Sequence, residues 1–552
     1  MIGVASQRSE RRIVSEFFEL FKTPWEFYRS DEQYDVLVCT SDNFGFESSK
    51  LIFIFSSEVT AFDEEQEIQL KSRPGGVVLQ EKDKRLPIYG SMVTFPGSHS
   101  SLLLEETAQQ PAALVIKRGD TVVVRVGYNL FEEIEFLFTT GQPISNASIP
   151  ALEEHIALLR DFITLAGIPL VEIPPIPGEH KFIACLTHDI DHPALRNHWC
   201  DRTMFGFLYR STVGTWLNVC RSKKSIKSLR RNSAAAFLLP FVHLGIANDF
   251  WWDFDRYLEI EKGHMSTFFA IPRSGYSGRT SKGSAPSSRA CRYDIHQLSS
   301  KLKRLISAGC EVGVHGLDAW RDIEEARGER DRVSKAIGAT ELGVRMHWLF
   351  FDHHSPAVLE RAGFTYDSTV GFRETIGYRA GTTQVYVPPG ATNLFELPLH
   401  VMDTALFYPS YLNLSDRQAK RLVWGMIDNA ERIGGVLTIN WHDRSIAPER
   451  LWDDFYRTLL RELESRNAWF PTATQAVAWF AKRRRARIEC ARMGSNLIRV
   501  RGRSDTTDAL PSLRIRIHKP QTRPIGEPAA AKAESEFIDV TFDGTKELYF
   551  EV

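Results

Sequence analysis

Apolar positions along this chain follow two periods, and the period switches from segment to segment. Short apolar runs bounded by turn residues at 34–39, 51–55, 113–116 and 121–126 predict strands. Over 151–166, Leu152, Ile156, Leu159 and Ile163 recur at helical spacing and predict an amphipathic helix. The Pro-rich stretch Ile173–Gly178 follows as a linker. From 180 to about 480 the two periods alternate. Strands are predicted at 182–187, 266–271, 310–315, 343–345, 394–398 and 435–442. Helices are predicted at 294–308, 321–337, 355–362, 415–433 and 449–466. That alternation is what a (β/α) architecture requires. Beyond 485 the pattern turns short and strand-like, at 496–500, 512–517 and 536–542. The reading is α/β: an N-terminal α/β accessory domain (1–175), a distorted (β/α) barrel (176–485) and a small β-rich or partly ordered C-terminal segment (486–552). The Gly/Ser run 274–289 reads as a mobile loop, and Ala529–Lys532 as low-complexity linker.

Composition narrows the class. With 552 residues there is enough chain for two or three domains with sizeable cores. A net charge of −1 supplies no overall attraction to nucleic acid. Seven cysteines carry no CxxC pair, as expected of reduced thiols rather than a disulfide framework. The first twelve residues lack the apolar core of a secretion signal, and no run of about twenty apolar residues offers a membrane span. The expectation is a cytoplasmic protein.

The densest chemistry lies in Thr187-His188-Asp189-Ile190-Asp191-His192, at the carboxyl end of the first strand after the linker. Two acids one residue apart on an extended chain point the same way. One can bind a divalent metal while the other accepts a proton. Other strands end on polar residues as well: His315, Arg345 with His347, Glu396, and His442 with Asp443. Several such residues at one pole of a sheet suggest a shared site.

The order of these motifs resembles the polysaccharide deacetylases of carbohydrate esterase family 4, over about 181–480. Thr187–Asp191 is similar to that family's first motif, in the variant where a residue separates the two acids. Ser266–Phe269 is similar to its second core strand, and Glu311–Gly316 to the strand entering its histidine motif. Arg345 stands where its third motif carries arginine, and Ala362–Thr369 resembles the step after it. Leu437–His442 resembles the closing motif. The resemblance implies metal-assisted amide hydrolysis. Asp191 and His315 would hold a divalent metal: zinc by expectation, with cobalt, nickel or manganese compatible. Asp189 would serve as general base, His442 as general acid and Arg345 as the group orienting the base. An acid such as Glu396, Asp403 or Asp443 would favour the charged form of His442.

Two departures from the family pattern matter. The second histidine of its histidine motif is replaced here by Ala319. The third ligand then falls to His347, with Asp318 or a water as the alternative. Second, Asp191 and His315 are 124 positions apart. The surplus, about 195–262, joins a basic run, Arg221–Arg231, to apolar and aromatic segments. It reads as a helical lid, or as a segment that lies on a membrane interface or recruits an anionic carrier lipid. Trp251, Trp252, Trp320 and Trp348 are candidate platforms for a sugar ring. The function expected is removal of acetyl groups from an N- or O-acetylated sugar of a polysaccharide, glycan or glycolipid precursor. The alternatives are a catalytically inactive carbohydrate-binding or regulatory protein, kept open by Ala319, and an amidohydrolase of a small amide.

Overall fold

Phe182–Ile190 is nine consecutive buried residues, and this central strand organises the part of the chain that carries the candidate site. A run buried on both faces belongs inside a parallel sheet covered by helices. The computed structural model describes all residues except 42–43, 46–48, 82–83, 97–102, 222–223, 493–496, 505–508, 522–535 and 552. Ala529–Lys532, Ser222, Lys223 and Asn496 therefore lie outside the described residues. The chain forms two units: Met1–Glu179 with Tyr378–Pro389 and Ala478–Val552, and His180–Gly377 with Gly390–Val477.

In the second unit, eight parallel strands follow the order 395–396, 366–367, 344–346, 311–316, 267–270, 182–190, 436–440, 401–402. Ala468–Trp469 adds to the start of the central strand. The sheet curls as an open half-barrel, an α/β arrangement consistent with a distorted (β/α) barrel. Helices Ile295–Ser307, Ile323–Ile337, Ser355–Ala362, Asp416–Ile433 and Asp453–Ser465 alternate with the strands. Their ends follow local rules. Asp294 and Ser415 form capping boxes, and Gly338 and Gly363 close helices in the left-handed conformation. Gly343 is required by close packing, since a Cβ there would lie 1.9 Å from Cζ of Tyr366.

The register places the candidate residues side by side. His315 pairs with Arg345, and Thr187 with Asn440. The segment 274–289, expected as a mobile loop, is tied down. Arg279–Thr280 pairs with Gly283–Ser284, and the buried Arg289 donates to the carbonyls of Ser277, Leu317 and His347. Its anchors are backbone carbonyls and the Asp318 carboxylate, contacts that no sequence pattern exposes.

The first unit carries a six-stranded sheet in the order 113–118, 121–126, 51–55, 36–39, 2–5, 25–27. All of its pairings are parallel except the 113–118/121–126 hairpin. The expected helix is present as Ala151–Leu165. The C-terminal strands form two antiparallel three-stranded sheets. In one, 513–518 lies between 170–172 and 537–542; in the other, 497–503 lies between 487–492 and 545–551.

Candidate metal centre

Asp191 follows the central strand by one residue, and its Oδ1 lies 3.3 Å from both His315 Nε2 and His347 Nδ1. Those two ring nitrogens are 2.9 Å apart. The three donor atoms form a group that could hold a metal ion. The chemistry of the set fits a cation. Asp191 Oδ1 is buried without a hydrogen-bond partner. His315 Nδ1 is turned to the Arg345 carbonyl at 3.0 Å, leaving Nε2 to face the group. Burial pushes His347 down to about 4, so it is a neutral imidazole near neutral pH. Burial opposes ionisation of Asp191, but His347 and His315 outweigh it and hold the carboxyl well below its usual range.

His347 reaches this position through unusual backbone. Trp348 and Leu349 take positive φ values of 64° and 55°, a region bulky residues avoid. The Arg289 guanidinium fastens the turn by donating to the His347 and Leu317 carbonyls at 2.8 and 3.0 Å. The alternative ligand, Asp318, faces elsewhere. Its carboxylate accepts from the Tyr276 hydroxyl at 2.6 Å and the Arg279 amide at 2.7 Å, and it is not in the metal-capable group. Ala319 is wholly buried.

Asp189 sits beside this group, its Oδ2 3.8 Å from His315 Nε2. Arg345 Nη1 donates to its Oδ1 at 3.1 Å, and Asn440 Nδ2 donates to its Oδ2 at 2.7 Å. Arg345 is itself fixed by Thr187 Oγ1, the Ser368 carbonyl and the Ser368 hydroxyl. Burial raises the Asp189 carboxyl, but His315 and Arg345 prevail and it lies below its ordinary value. No sequence signal marks Asn440, whose place beside Asp189 comes from the pairing of its strand with that of Thr187.

His442 is brought in by an extension of the same sheet. The amides of Trp441 and Asp443 donate to the carbonyls of Thr187 and Asp189, beyond the regular strand. His442 Nε2 is 3.9 Å from Asp191 Oδ2, while Nδ1 contacts Asp403 Oδ1 at 2.6 Å. Burial disfavours the imidazolium, yet Asp403, then Asp191 and Asp189, raise His442 to about 10. Of the three acids considered for this role, Asp403 is the one hydrogen-bonded to the ring. Glu396 accepts the Val370 amide and interacts with Asp367, and burial raises its carboxyl far above the usual range. Asp443 accepts from the amides of His192 and Arg444, and burial then Asp191 raise it to about 7.

Asp189, Asp191, His315, His347 and His442 line a cleft of about 230 Å³. Arg373, Arg444 and Arg450 form part of its wall, and Arg373 stacks on Trp348 at 4.8 Å. Of the four candidate tryptophans, Trp348 lines the cleft. Trp251 and Trp320 are buried, and Trp252 does not line it.

No protein-family model matches the chain, and no curated protein matches it. Among solved structures, the chain is similar to a protein from Mycobacterium smegmatis provisionally described as a polysaccharide deacetylase. Identity is 17%, over 56% of this chain and 95% of that one, with a TM-score of 0.34. An allantoinase matches at 14% identity over 56% of this chain and 93% of its own, with a TM-score of 0.34. A protein from Bordetella bronchiseptica, provisionally described as a polysaccharide deacetylase involved in O-antigen biosynthesis, matches at 12% identity. That match covers 42% of this chain and 84% of the other, with a TM-score of 0.19.

Proposed function

We propose that the second unit is a metal-dependent hydrolase that removes acetyl groups from an N-acetylated or O-acetylated sugar of a glycan or glycolipid precursor. One observation carries the reading: a carboxylate held by Arg345 and Asn440 stands beside the Asp191, His315 and His347 donors, with the His442–Asp403 pair at the same cleft. The order of motifs in the sequence supports the acetyl-sugar class.

Asp191, His315 and His347 would hold the cation, zinc by preference with cobalt, nickel or manganese compatible. When bound, such a cation supplies Lewis acidity toward an acyl carbonyl and lowers the pKa of water. Asp189 takes the proton of the attacking water, since both of its oxygens are fixed and it is ionised at neutral pH. Arg345 and Asn440 orient that carboxylate and keep it from turning away. His442 is protonated below about pH 10 and delivers its Nε2 proton to the departing amine, while Asp403 fixes the ring through Nδ1. Trp348 offers a sugar ring the face that Arg373 does not cover. The arginines of the wall favour a substrate that also bears a carboxylate or phosphate.

Acetate release from a panel of acetylated amino sugars, with and without an anionic substituent, tests this reading beside small acetamides and ureides. Turnover of the sugars, fastest for anionic ones, is the expected result. Turnover restricted to the small amides replaces the sugar assignment. No turnover by metal-loaded protein on any substrate favours a carbohydrate-binding role.

A further inference from the structure

Between Arg202 and Asn248 the chain has eight arginines and lysines and no aspartate or glutamate, in a protein of net charge −1. The described part of this segment is a helical hairpin. Arg202–Cys220 runs as one helix through a wider turn at Arg210–Gly214, and Ile226–His243 packs back along it. The inner face is well satisfied. Asn232 Nδ2 donates to Thr215 Oγ1 at 2.8 Å, and Asn232 Oδ1 accepts the Glu449 amide at 2.8 Å. Met204, Phe207 and Leu239 pack against Trp251 in one cluster.

The outer face has the opposite character. Twenty large hydrophobic side chains are exposed among the described residues, and eleven of them fall between Trp199 and Ile246. Phe205 and Tyr209 lie along one face of the first helix, with Trp216 exposed beyond its wider turn; Phe237 and Phe241 lie along one face of the second, with Leu244 exposed at its C-terminal end. Phe237 is 75% exposed. An apolar patch this concentrated marks an interaction surface. Arg221, at the end of the first helix, and Lys227 and Arg230, at the start of the second, are exposed and meet no carboxylate among the described residues. No helix of the described residues is long and apolar enough to cross a membrane.

We propose that the two described helices of this segment, Arg202–Cys220 and Ile226–His243, dock the protein on the surface of an anionic phospholipid bilayer. Their exposed aromatic and aliphatic side chains enter the headgroup layer, and their basic residues face lipid phosphates. Charge selects this occupant. A second copy seated on the same face by twofold symmetry would bring two acid-free basic segments together. Docking also bears on the cleft, because Arg210 on the hairpin donates to Glu449 at 2.7 Å and the next residue, Arg450, lines the cleft wall.

Flotation of the full chain with vesicles tests the proposal, using phosphatidylcholine alone or mixed with phosphatidylglycerol. Thermal unfolding of each variant verifies folding. The protein is expected to float with the mixed vesicles and to dissociate as salt is raised. Lys227→Glu/Arg230→Glu should weaken partitioning by roughly tenfold or more, and Phe237→Glu/Leu244→Glu should abolish it. Failure to float, or flotation indifferent to anionic lipid and to both variants, overturns the proposal. So does a non-floating wild-type dimer that Phe237→Glu/Leu244→Glu converts to monomer, which assigns the face to a second copy.

Discussion

Asp403 grips His442 at two points: its Oδ1 lies 2.6 Å from the ring Nδ1, and its Oδ2 accepts the His442 amide at 2.7 Å. One carboxylate thus fixes both the backbone and the imidazole, and leaves Nε2 for the cleft. Asp403→Asn keeps the shape but removes the charge that favours the imidazolium and turns one of the two acceptors into a donor. Steady-state kinetics should show kcat reduced on the order of a hundredfold with KM little changed, at unaltered metal content. Unchanged kcat would remove His442 as the proton donor.

The buried Arg345 guanidinium and Asp189 carboxylate stand or fall together. Arg345→Met strands a buried carboxylate and should cost about 3–5 kcal/mol in denaturant unfolding. Adding Asp189→Asn to that variant should recover part of the loss, a coupling read from the double-mutant cycle. Additive losses would mean that the pair does not interact.

Much of this site was legible in the chain because it sits where strands end. Asp189, Asp191, His315, Arg345 and His442 each close an apolar run, and parallel sheets collect such ends at one pole. His347 was legible as a ligand candidate by its nearness to Arg345. What delivers it was not: the positive φ at Trp348 and Leu349 and the carbonyls gripped by Arg289 leave no periodic trace. Asn440 was missed for another reason, since an amide inside a closing strand has no spacing signature. Asp403 could be named only as one of three acids, because its role depends on contact across 39 positions. The loop reading of 274–289 followed its Gly/Ser content, which does not report its backbone anchors.

The first unit contains a proton-linked stability term at Glu153. Burial raises this carboxyl from 4.5 to about 7, against donors from Thr382 and Thr383. A raised carboxyl favours the folded state most fully below its unfolded pKa, and that contribution disappears as pH rises through the folded value. Wild type should therefore lose about 3 kcal/mol between pH 4.5 and pH 8 relative to Glu153→Gln. Denaturant titrations at a series of pH values measure the difference. Parallel curves for the two proteins would contradict it.

Ala319 tests the packing around the centre. Because the residue is wholly buried, Ala319→His must force its neighbours apart and should destabilise by about 1–3 kcal/mol. Thermal unfolding with and without added metal reads this directly. A stable variant that binds metal more tightly would instead place position 319 beside the cation.

Metal stoichiometry of the purified protein, beside Asp191→Ala, His315→Ala and His347→Ala, is the most direct test of the centre. One equivalent of a divalent cation in the wild type, with substantial loss in each folded variant, is the predicted result. A wild type that takes up no metal when it is supplied, or variants that keep a full equivalent, would contradict a cation held by these three residues.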